Sequence, residues 1–261
     1  MSWWGKVVGG TFGFFLMGGP MGALLGAALG NYFDGGMDRL ALDDSPGLGQ
    51  TERVQSAFFT ALFSLMGFIA KADGRVTREE ISLTEHIMDQ MQLSSDQRQV
   101  AMRLFDGGKE ENFPFEQVLE QFRRECFRRR QLIQMFLEIL TATALADGTV
   151  DSSEEELLIL IAERLGYSSF DYQQILGRVK GHEQFSHPQN EQKKLDAAYR
   201  ALSLHSSATD QDVKKMYRKL MNQHHPDKLV AKGLPEEMLA LATQKTQEIK
   251  AAYELIKKSR G

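Results

Sequence analysis

The stretch "DVKKMYRKLMNQHHPDK", residues 212–228, has the pattern of an amphipathic helix that ends at a proline-containing corner. Thr209 is followed three residues later by Asp212, the spacing of a capping box, which predicts the start of the helix. Pro226 lacks an N–H and disfavours helical geometry at His225, so the helix is predicted to end there in a stiff turn. The apolar residues recur every three or four positions and form one face: Val213, Met216, Tyr217 and Leu220.

The opposite side of this helix is basic. Residues four apart in a helix share a face, so Lys214 lies beside Arg218 and Lys215 beside Lys219. The sequence therefore predicts a strip of four cations that leads to the corner at residues 225–227.

Helical patterns lie on both sides of this stretch. The preceding apolar stripe is Leu195, Ala198, Tyr199 and Leu202. The stripe that follows Pro235 is Met238, Leu241, Ala242, Ile249, Ala252 and Ile256. Two antiparallel helices joined by a rigid polar tip are predicted.

With "AAYELI" at residues 251–256 downstream, this pattern resembles the J-domain family, and residues 225–227 match its His-Pro-Asp signature. The resemblance implies that this region binds the nucleotide-binding domain of a DnaK-type chaperone and stimulates its ATP hydrolysis. In that case the four cations would hold an acidic partner surface, and the corner would make directional contacts. The partner-binding residues implied are Lys214, Lys215, Tyr217, Arg218, Lys219, His225, Pro226 and Asp227.

Two positions depart from the common J-domain pattern: His224 and Thr246 stand where aromatic residues are usual. The chain also has no glycine/phenylalanine-rich segment and no cysteine-rich zinc module of the kind found in general DnaJ proteins. A hydrolase built on His225 and Asp227 would lack a neighbouring Ser or Cys nucleophile. A nucleic-acid binder would need exposed aromatic residues among the cations. We therefore expect neither an enzyme nor a nucleic-acid-binding protein, and no cofactor.

Residues 51–180 predict a helical bundle of six or seven helices, since no strand pattern competes with the helical one. Apolar residues three or four positions apart include Phe58, Leu62, Leu65 and Ile69, and later Leu132, Met135, Leu137 and Leu140. The fold class predicted for the whole chain is all-α.

The bundle contains an internal repeat, "KADGRVTREE" at residues 71–80 and "LADGTVDSSEE" at residues 145–155. Glycine would turn the chain in each copy, and the acidic residues would cap the following helix. The alternative is a divalent-cation site built from clustered carboxylates, although the spacing is not that of an EF-hand. The candidate ligands are Asp73, Asp147 and Asp151, together with Glu80 and Glu154. The arrangement resembles the TerB-like family, for which metal binding is proposed, and this implies metal binding at Asp73 and Asp147 only as a possibility.

The N-terminal segment carries no charged residue from 7 to 30, long enough as a helix to cross a bilayer. It includes "GGPMGALLGAALG" at residues 18–30, in which Gly18, Gly22, Gly26 and Gly30 would form one smooth face. We expect a transmembrane anchor that dimerises through this glycine stripe. A secretory signal peptide, or glycines that merely tolerate lipid, are the alternatives.

Lys6 and Arg39 nearly cancel in the positive-inside count, so charge does not fix the orientation of the anchor. A DnaK-type partner needs ATP, which the cytoplasm supplies. We therefore expect residues 31–261 on the cytoplasmic side of a bacterial inner membrane, with a short periplasmic N-terminus.

The predicted domains are an anchor at 1–31, a juxtamembrane linker at 32–50, the TerB-like bundle at 51–180, a linker at 181–192 and the J-domain at 193–261. The net charge of −4 combines a basic C-terminal region, with 14 Lys or Arg against 8 Asp or Glu in residues 193–261, with an acidic middle. Cys126 is the only cysteine, which excludes an intrachain disulfide and a zinc site of paired cysteines.

The run "RRECFRRR", residues 123–130, is typical of a solvated helix face. The alternative is attraction to the anionic inner leaflet. The whole chain resembles membrane-anchored co-chaperones with a C-terminal J-domain. A second hypothesis is a membrane sensor in which the TerB-like bundle binds a ligand or metal and the J-domain is the output.

Overall fold

The computed structural model describes residues 50–72, 78–145, 148–186 and 190–260. The predicted membrane span and glycine stripe at residues 7–30 lie outside the described residues. Within the described part the regular elements are all helical, which confirms the all-α prediction.

Seven helices make up the described part of the unit that we call the bundle, residues 50–186. They are α1 (Gln50–Ala70), α2 (Arg78–Gln90), α3 (Ser95–Gly108), α4 (Phe115–Glu125), α5 (Arg130–Ala144), α6 (Ser152–Arg164) and α7 (Ser169–Ser186). The C-terminal unit, residues 190–260, contains α8 (Glu191–Ala201), α9 (Asp210–His224), α10 (Pro226–Val230), a 3₁₀ turn (Glu236–Met238) and α11 (Leu239–Arg260).

Helix α1 is the core helix of the bundle. Its window Arg53–Ala70 has a mean hydropathy of 1.3, apolar enough for a membrane span, but 67% of the window is buried. Phe58 of α1 packs edge-on against Phe122 of α4 and Phe136 of α5, at ring-centroid distances of 5.8 and 5.4 Å. The apolar positions predicted from the sequence in α1 and α5 are all buried.

Two glycines let α1 and α3 approach each other closely. A Cβ atom added at Gly67 would lie 1.9 Å from the carbonyl oxygen of Phe105, and one added at Gly108 would lie 1.9 Å from that of Ser64. Since such distances are far inside van der Waals contact, this helix crossing requires glycine at both positions.

A small core of its own holds the C-terminal unit together. It is formed by α8, α9 and α11 and consists of Ala198, Tyr199, Ala201, Leu202, Val213, Leu220, Ile249, Ala252 and Ile256. Helices α9 and α11 pack against each other, with α10 and the following loop at one end.

The loop after the proline corner packs into the bundle. Leu229, Leu234, Met238 and Ala242 are buried in the bundle's core and not in that of the C-terminal unit. The sequence pattern had placed Met238 and Ala242 on the same stripe as Ile249. A hydrogen bond also joins the loop to the bundle: Arg129 Nη1 donates to Lys232 O at 2.6 Å.

Helix α7 also joins the two units. It continues to Ser186, through the first half of the segment assigned to a linker at residues 181–192, and it packs along α8. A Cβ atom at Gly181 would lie 2.5 Å from the backbone nitrogen of Ala201. The C-terminal unit is therefore seated on the bundle by both α7 and the loop that follows α10.

Candidate functional site

Helix α9 begins at the predicted capping box. The Thr209 hydroxyl accepts a hydrogen bond from the backbone N–H of Asp212 at 3.2 Å, and the Asp212 carboxylate accepts one from the backbone N–H of Thr209 at 3.1 Å. The hydrogen bond from the Thr209 side chain is the main reason why the pKa of Asp212 lies below its usual value. The sequence prediction for the start of α9 is confirmed.

The four cations of α9 lie on its solvent side. Lys214, Lys215, Arg218 and Lys219 are all exposed, whereas Val213 and Leu220 on the other side are buried. The strip is therefore available to an approaching partner surface of opposite charge.

At the end of α9 the chain turns at His225, whose φ and ψ angles of −60° and 122° are extended and not helical. Pro226 is then the first residue of α10, a position at which its missing N–H has no cost. His225 Nδ1 lies 3.9 Å from Asp227 Oδ2, and the two side chains are 45% and 89% exposed. The corner therefore presents the Asp227 carboxylate and one part of the His225 imidazole to solvent, while the Nδ1 atom of His225 is buried.

Tyr217 supports α9 from within the C-terminal unit. Its ring stacks on that of Tyr253 in α11, with centroids 4.2 Å apart and planes 17° apart. The structure places Tyr217 between helices, so it contributes to the rigidity of the basic strip.

Comparisons with known proteins divide the chain into three regions. Residues 1–40 match the family described as Co-chaperone DjlA transmembrane domain, residues 59–176 match Tellurite resistance protein TerB, and residues 197–260 match the DnaJ domain. The Co-chaperone protein DjlA of Coxiella burnetii is 41% identical over 269 residues, covering 100% of this chain and 99% of the relative. The chain belongs to the DjlA co-chaperone family.

Other DjlA proteins show similar identity. That of Photobacterium profundum is 42% identical over 99% of both chains, and that of Shewanella oneidensis is 44% identical over 82% of both. No solved structure matches the chain. As a DjlA-family protein with a J-domain and a DjlA transmembrane region, the chain is a membrane-anchored bacterial co-chaperone.

In this DjlA-family chain, His224 connects the J-domain to the bundle. His224 is 3% exposed, and its Nε2 atom lies 3.6 Å from Oε1 of Glu138 in α5. Arg178 Nη2 of α7 lies 3.2 Å from the same Glu138 oxygen, and Lys245 Nζ of α11 lies 3.8 Å from Oε2. We call Glu138, Arg178, His224 and Lys245 the Glu138 junction. His224 thus occupies, with a polar contact, the position before the corner at which an aromatic residue is usual.

The electrostatics of the Glu138 junction favour a charged carboxylate and neutral imidazoles. Burial alone would raise the pKa of Glu138, but His224, Lys245 and Arg178 outweigh it and hold that pKa far below its usual value. Burial is the main reason why the pKa of His224 lies below 6.5; the negative charge of Glu138 opposes this shift, and Lys245 and Arg178 add to it. His182, one turn after Arg178, is buried too, and burial lowers its pKa well below 6.5.

The Glu138 junction was missed by sequence reasoning, although one signal was present. Glu138 interrupts an otherwise apolar helix, "LIQMFLEIL" at residues 132–140, and is 5% exposed. A carboxylate in such a position needs partners. Its partners Arg178, His224 and Lys245 are distant in sequence, so the pattern alone could not identify them.

The candidate metal ligands do not come together among the residues that the structure describes. Asp73 and Asp147 lie outside these residues. Asp151 caps α6, where its carboxylate accepts from Ser153 N at 2.8 Å, and Glu154 closes the capping box through Asp151 N at 2.9 Å. In the described ranges no group of three or more His, Cys, Asp or Glu residues is placed to hold a metal. Asp151 and Glu154 therefore cap helix α6, as the capping interpretation of the repeat predicts.

Proposed function

We propose that this DjlA-family chain recruits a DnaK-type chaperone through its His-Pro-Asp corner and the basic strip of α9, and stimulates the ATP hydrolysis that the chaperone performs. The observation that carries this proposal is the corner itself. His225 is half-buried, Asp227 is exposed, and Pro226 fixes both at the end of a helix whose solvent face holds four cations.

The two parts of the site would contribute differently. Four exposed cations on one helix face raise the rate of encounter with an acidic surface. This attraction weakens as the salt concentration increases. The corner would supply directional contacts at little entropic cost, since Pro226 and the docked loop already restrict the backbone.

The test is the steady-state ATPase rate of a DnaK-type chaperone with the full chain in nanodiscs. His225→Gln should abolish stimulation and leave the circular dichroism and the melting temperature unchanged. His205→Gln is the matched control, because His205 is an exposed histidine of the same domain whose ring nitrogen lies 3.0 Å from the hydroxyl of Ser207, a local contact. Full stimulation by His225→Gln would contradict the proposal.

The contribution of the strip can be tested by charge removal. Lys214→Gln with Arg218→Gln should weaken the apparent affinity for the chaperone and reduce its dependence on salt. Lys257→Gln with Lys258→Gln removes the same charge from exposed positions of α11 and should do neither. Equal effects from both pairs would show that net charge, and not the strip, is responsible.

We further propose that the anchor places the bundle and the J-domain in the cytoplasm, where the partner finds ATP, and that two chains pair through Gly18, Gly22, Gly26 and Gly30. Leucine in place of Gly22 and Gly26 would fill the smooth face that close helix approach requires. Crosslinking in lipid should then lose the dimer, and an unchanged yield would exclude the stripe as the interface. Protease access in inverted and right-side-out vesicles tests the orientation.

A further inference from the structure

Five exposed residues surround the turn between α4 and α5, and we call them the arginine corner. They are Arg123, Arg124, Phe127, Arg128 and Arg130. Phe127 is 67% exposed, and among the described residues only Phe170 is a large apolar side chain of similar exposure. The guanidinium of Arg128 lies 5.2 Å from the Phe127 ring centroid. A ring so exposed, beside a cation, contributes little to the packing of the bundle.

The arginine corner lies at the end of the bundle that is tethered to the membrane. Arg53, in the first turn of α1, lies 3.6 Å from Glu125, at the end of α4. Nineteen residues, 31–49, separate the end of the predicted membrane span at residue 30 from the start of α1 at Gln50. Fully extended, they reach about 65 Å. The corner therefore lies at the tethered end of the bundle, within reach of the bilayer surface.

The chemistry of the corner matches an anionic bilayer. Guanidinium groups bind phosphate oxygens through paired hydrogen bonds, and basic residues near an anionic leaflet are attracted to it. An exposed aromatic ring gains from insertion at the level of the headgroups. We propose that the arginine corner docks on the anionic phospholipid surface of the membrane that holds the anchor. The inference depends on membrane anchoring and is independent of DnaK recruitment.

The backbone conformation at Arg128 indicates that the charge of this residue matters more than the ease of forming the turn. Arg128 has a φ angle of 64°, in the left-handed region where glycine is favoured over other residues. The turn itself would be made with less strain by glycine. An arginine there gives up some local stability and projects a cation next to Phe127.

The test uses the full chain in nanodiscs, with tryptophan as the probe of depth. Trp3 and Trp4 are replaced by phenylalanine and Phe127 by tryptophan, which leaves one indole at the corner. Nanodiscs contain either phosphatidylcholine alone or phosphatidylcholine with phosphatidylglycerol, and brominated lipid is the quencher. In anionic nanodiscs we expect a blue-shifted emission that brominated lipid quenches, and in zwitterionic ones neither.

Charge removal completes the test. Arg123→Gln with Arg128→Gln should lower the ratio of docked to undocked protein roughly 25-fold, since each charge near an anionic surface is worth about fivefold. Lys257→Gln with Lys258→Gln is the matched control and should leave the ratio unchanged. Arg128→Gly should weaken docking and leave the melting temperature equal or higher. Such a result would show that docking is lost with the charge and not through unfolding.

Three results would overturn the proposal. They are an indole that is not quenched in anionic nanodiscs, quenching that is equal in zwitterionic ones, and equal losses from the arginine pair and the lysine pair. A corner that meets a protein partner instead of lipid would give the first result, because no other protein is present.

Discussion

Replacing Glu138 by glutamine tests whether the Glu138 junction holds the J-domain on the bundle. Glutamine keeps the size of the side chain and its ability to accept from the Gln134 amide, which donates to Glu138 at 3.0 Å. It removes the negative charge that faces Arg178, Lys245 and His224. The side chains of Arg178 and Lys245 are 11% and 19% exposed, so both cations would lose a partner in a poorly hydrated place.

The free-energy cost of Glu138→Gln depends on how far Arg178 and Lys245 can replace the lost ion pair with other contacts. Removing one partner of a buried ion pair costs about 3–5 kcal/mol. Arg178 keeps a hydrogen bond from Nη1 to Ser203 Oγ at 3.2 Å, and Lys245 can extend its flexible chain toward water. We therefore expect the lower end, about 3 kcal/mol, which raises the equilibrium constant for undocking roughly 150-fold.

Amide hydrogen exchange across residues 226–238 measures this equilibrium. The N–H of Leu229 donates to His225 O at 3.1 Å and that of Leu234 to Leu229 O at 3.0 Å, and both residues are buried against the bundle, so exchange requires the loop to open. Exchange at these amides should be about two orders of magnitude faster in Glu138→Gln.

Glu116→Gln is the matched control. It breaks an ion pair with Arg164 whose side chains are 60% and 49% exposed, and such pairs contribute about 1 kcal/mol or less. The double variant Glu138→Leu with Arg178→Met should be less destabilised than Glu138→Gln, because it leaves only Lys245 to be resolvated. If exchange in residues 226–238 were the same in Glu138→Gln and Glu116→Gln, the junction would not hold the J-domain in place.

Three further predictions concern the two cores and the buried histidines. Burial lowers the pKa values of His182 and His224, which face Glu138, Arg178, Lys245 and Glu248, below 6.5, so the undocked state binds more protons. The opening equilibrium constant in residues 226–238, which is the exchange rate divided by the intrinsic rate at the same pH, should therefore rise as the pH falls below 6.5, and rise less in His224→Gln. Gly67→Ala should lower the free energy of unfolding in urea by about 3 kcal/mol through overpacking against Phe105, whereas Gly177→Ala, with open space around the added methyl group, should raise it by about 0.5–1 kcal/mol; equal effects would contradict the close crossing of α1 and α3. Tyr217→Leu should cost the J-domain about 1 kcal/mol by losing the stack on Tyr253, seen as faster exchange in α11 and not in α1; no change there would contradict a structural role for Tyr217.

Local pattern was enough to predict the helices and the corner, because their causes lie within a few residues. The capping box at Thr209 and the stop at Pro226 are both such short-range effects. Both lie within four residues of the helix end that they determine.

The contact between the J-domain and the bundle could not be predicted from the same information. Met238 and Ala242 fit the helical stripe of α11 equally well whether they face α9 or the bundle. Periodicity identifies which face of a helix is buried but not against what. The Glu138 junction joins residues up to 107 positions apart in the numbering, from Glu138 to Lys245, a separation that only the assembled fold brings within 3.8 Å.

The docked loop also fixes where the proposed site lies relative to the bundle. A Cβ atom at Gly233 would lie 2.9 Å from Val54, so the loop that follows α10 rests on the first turns of α1, close to the anchored end of the bundle. Only residues 228–232 separate this contact from the His-Pro-Asp corner at residues 225–227. A J-domain on a flexible linker would have to lose orientational freedom when a partner binds, whereas this one has already lost it by docking. The contacts between the bundle and the J-domain thus hold the proposed chaperone-binding corner in one orientation on the bundle, and the strength of those contacts sets how firmly.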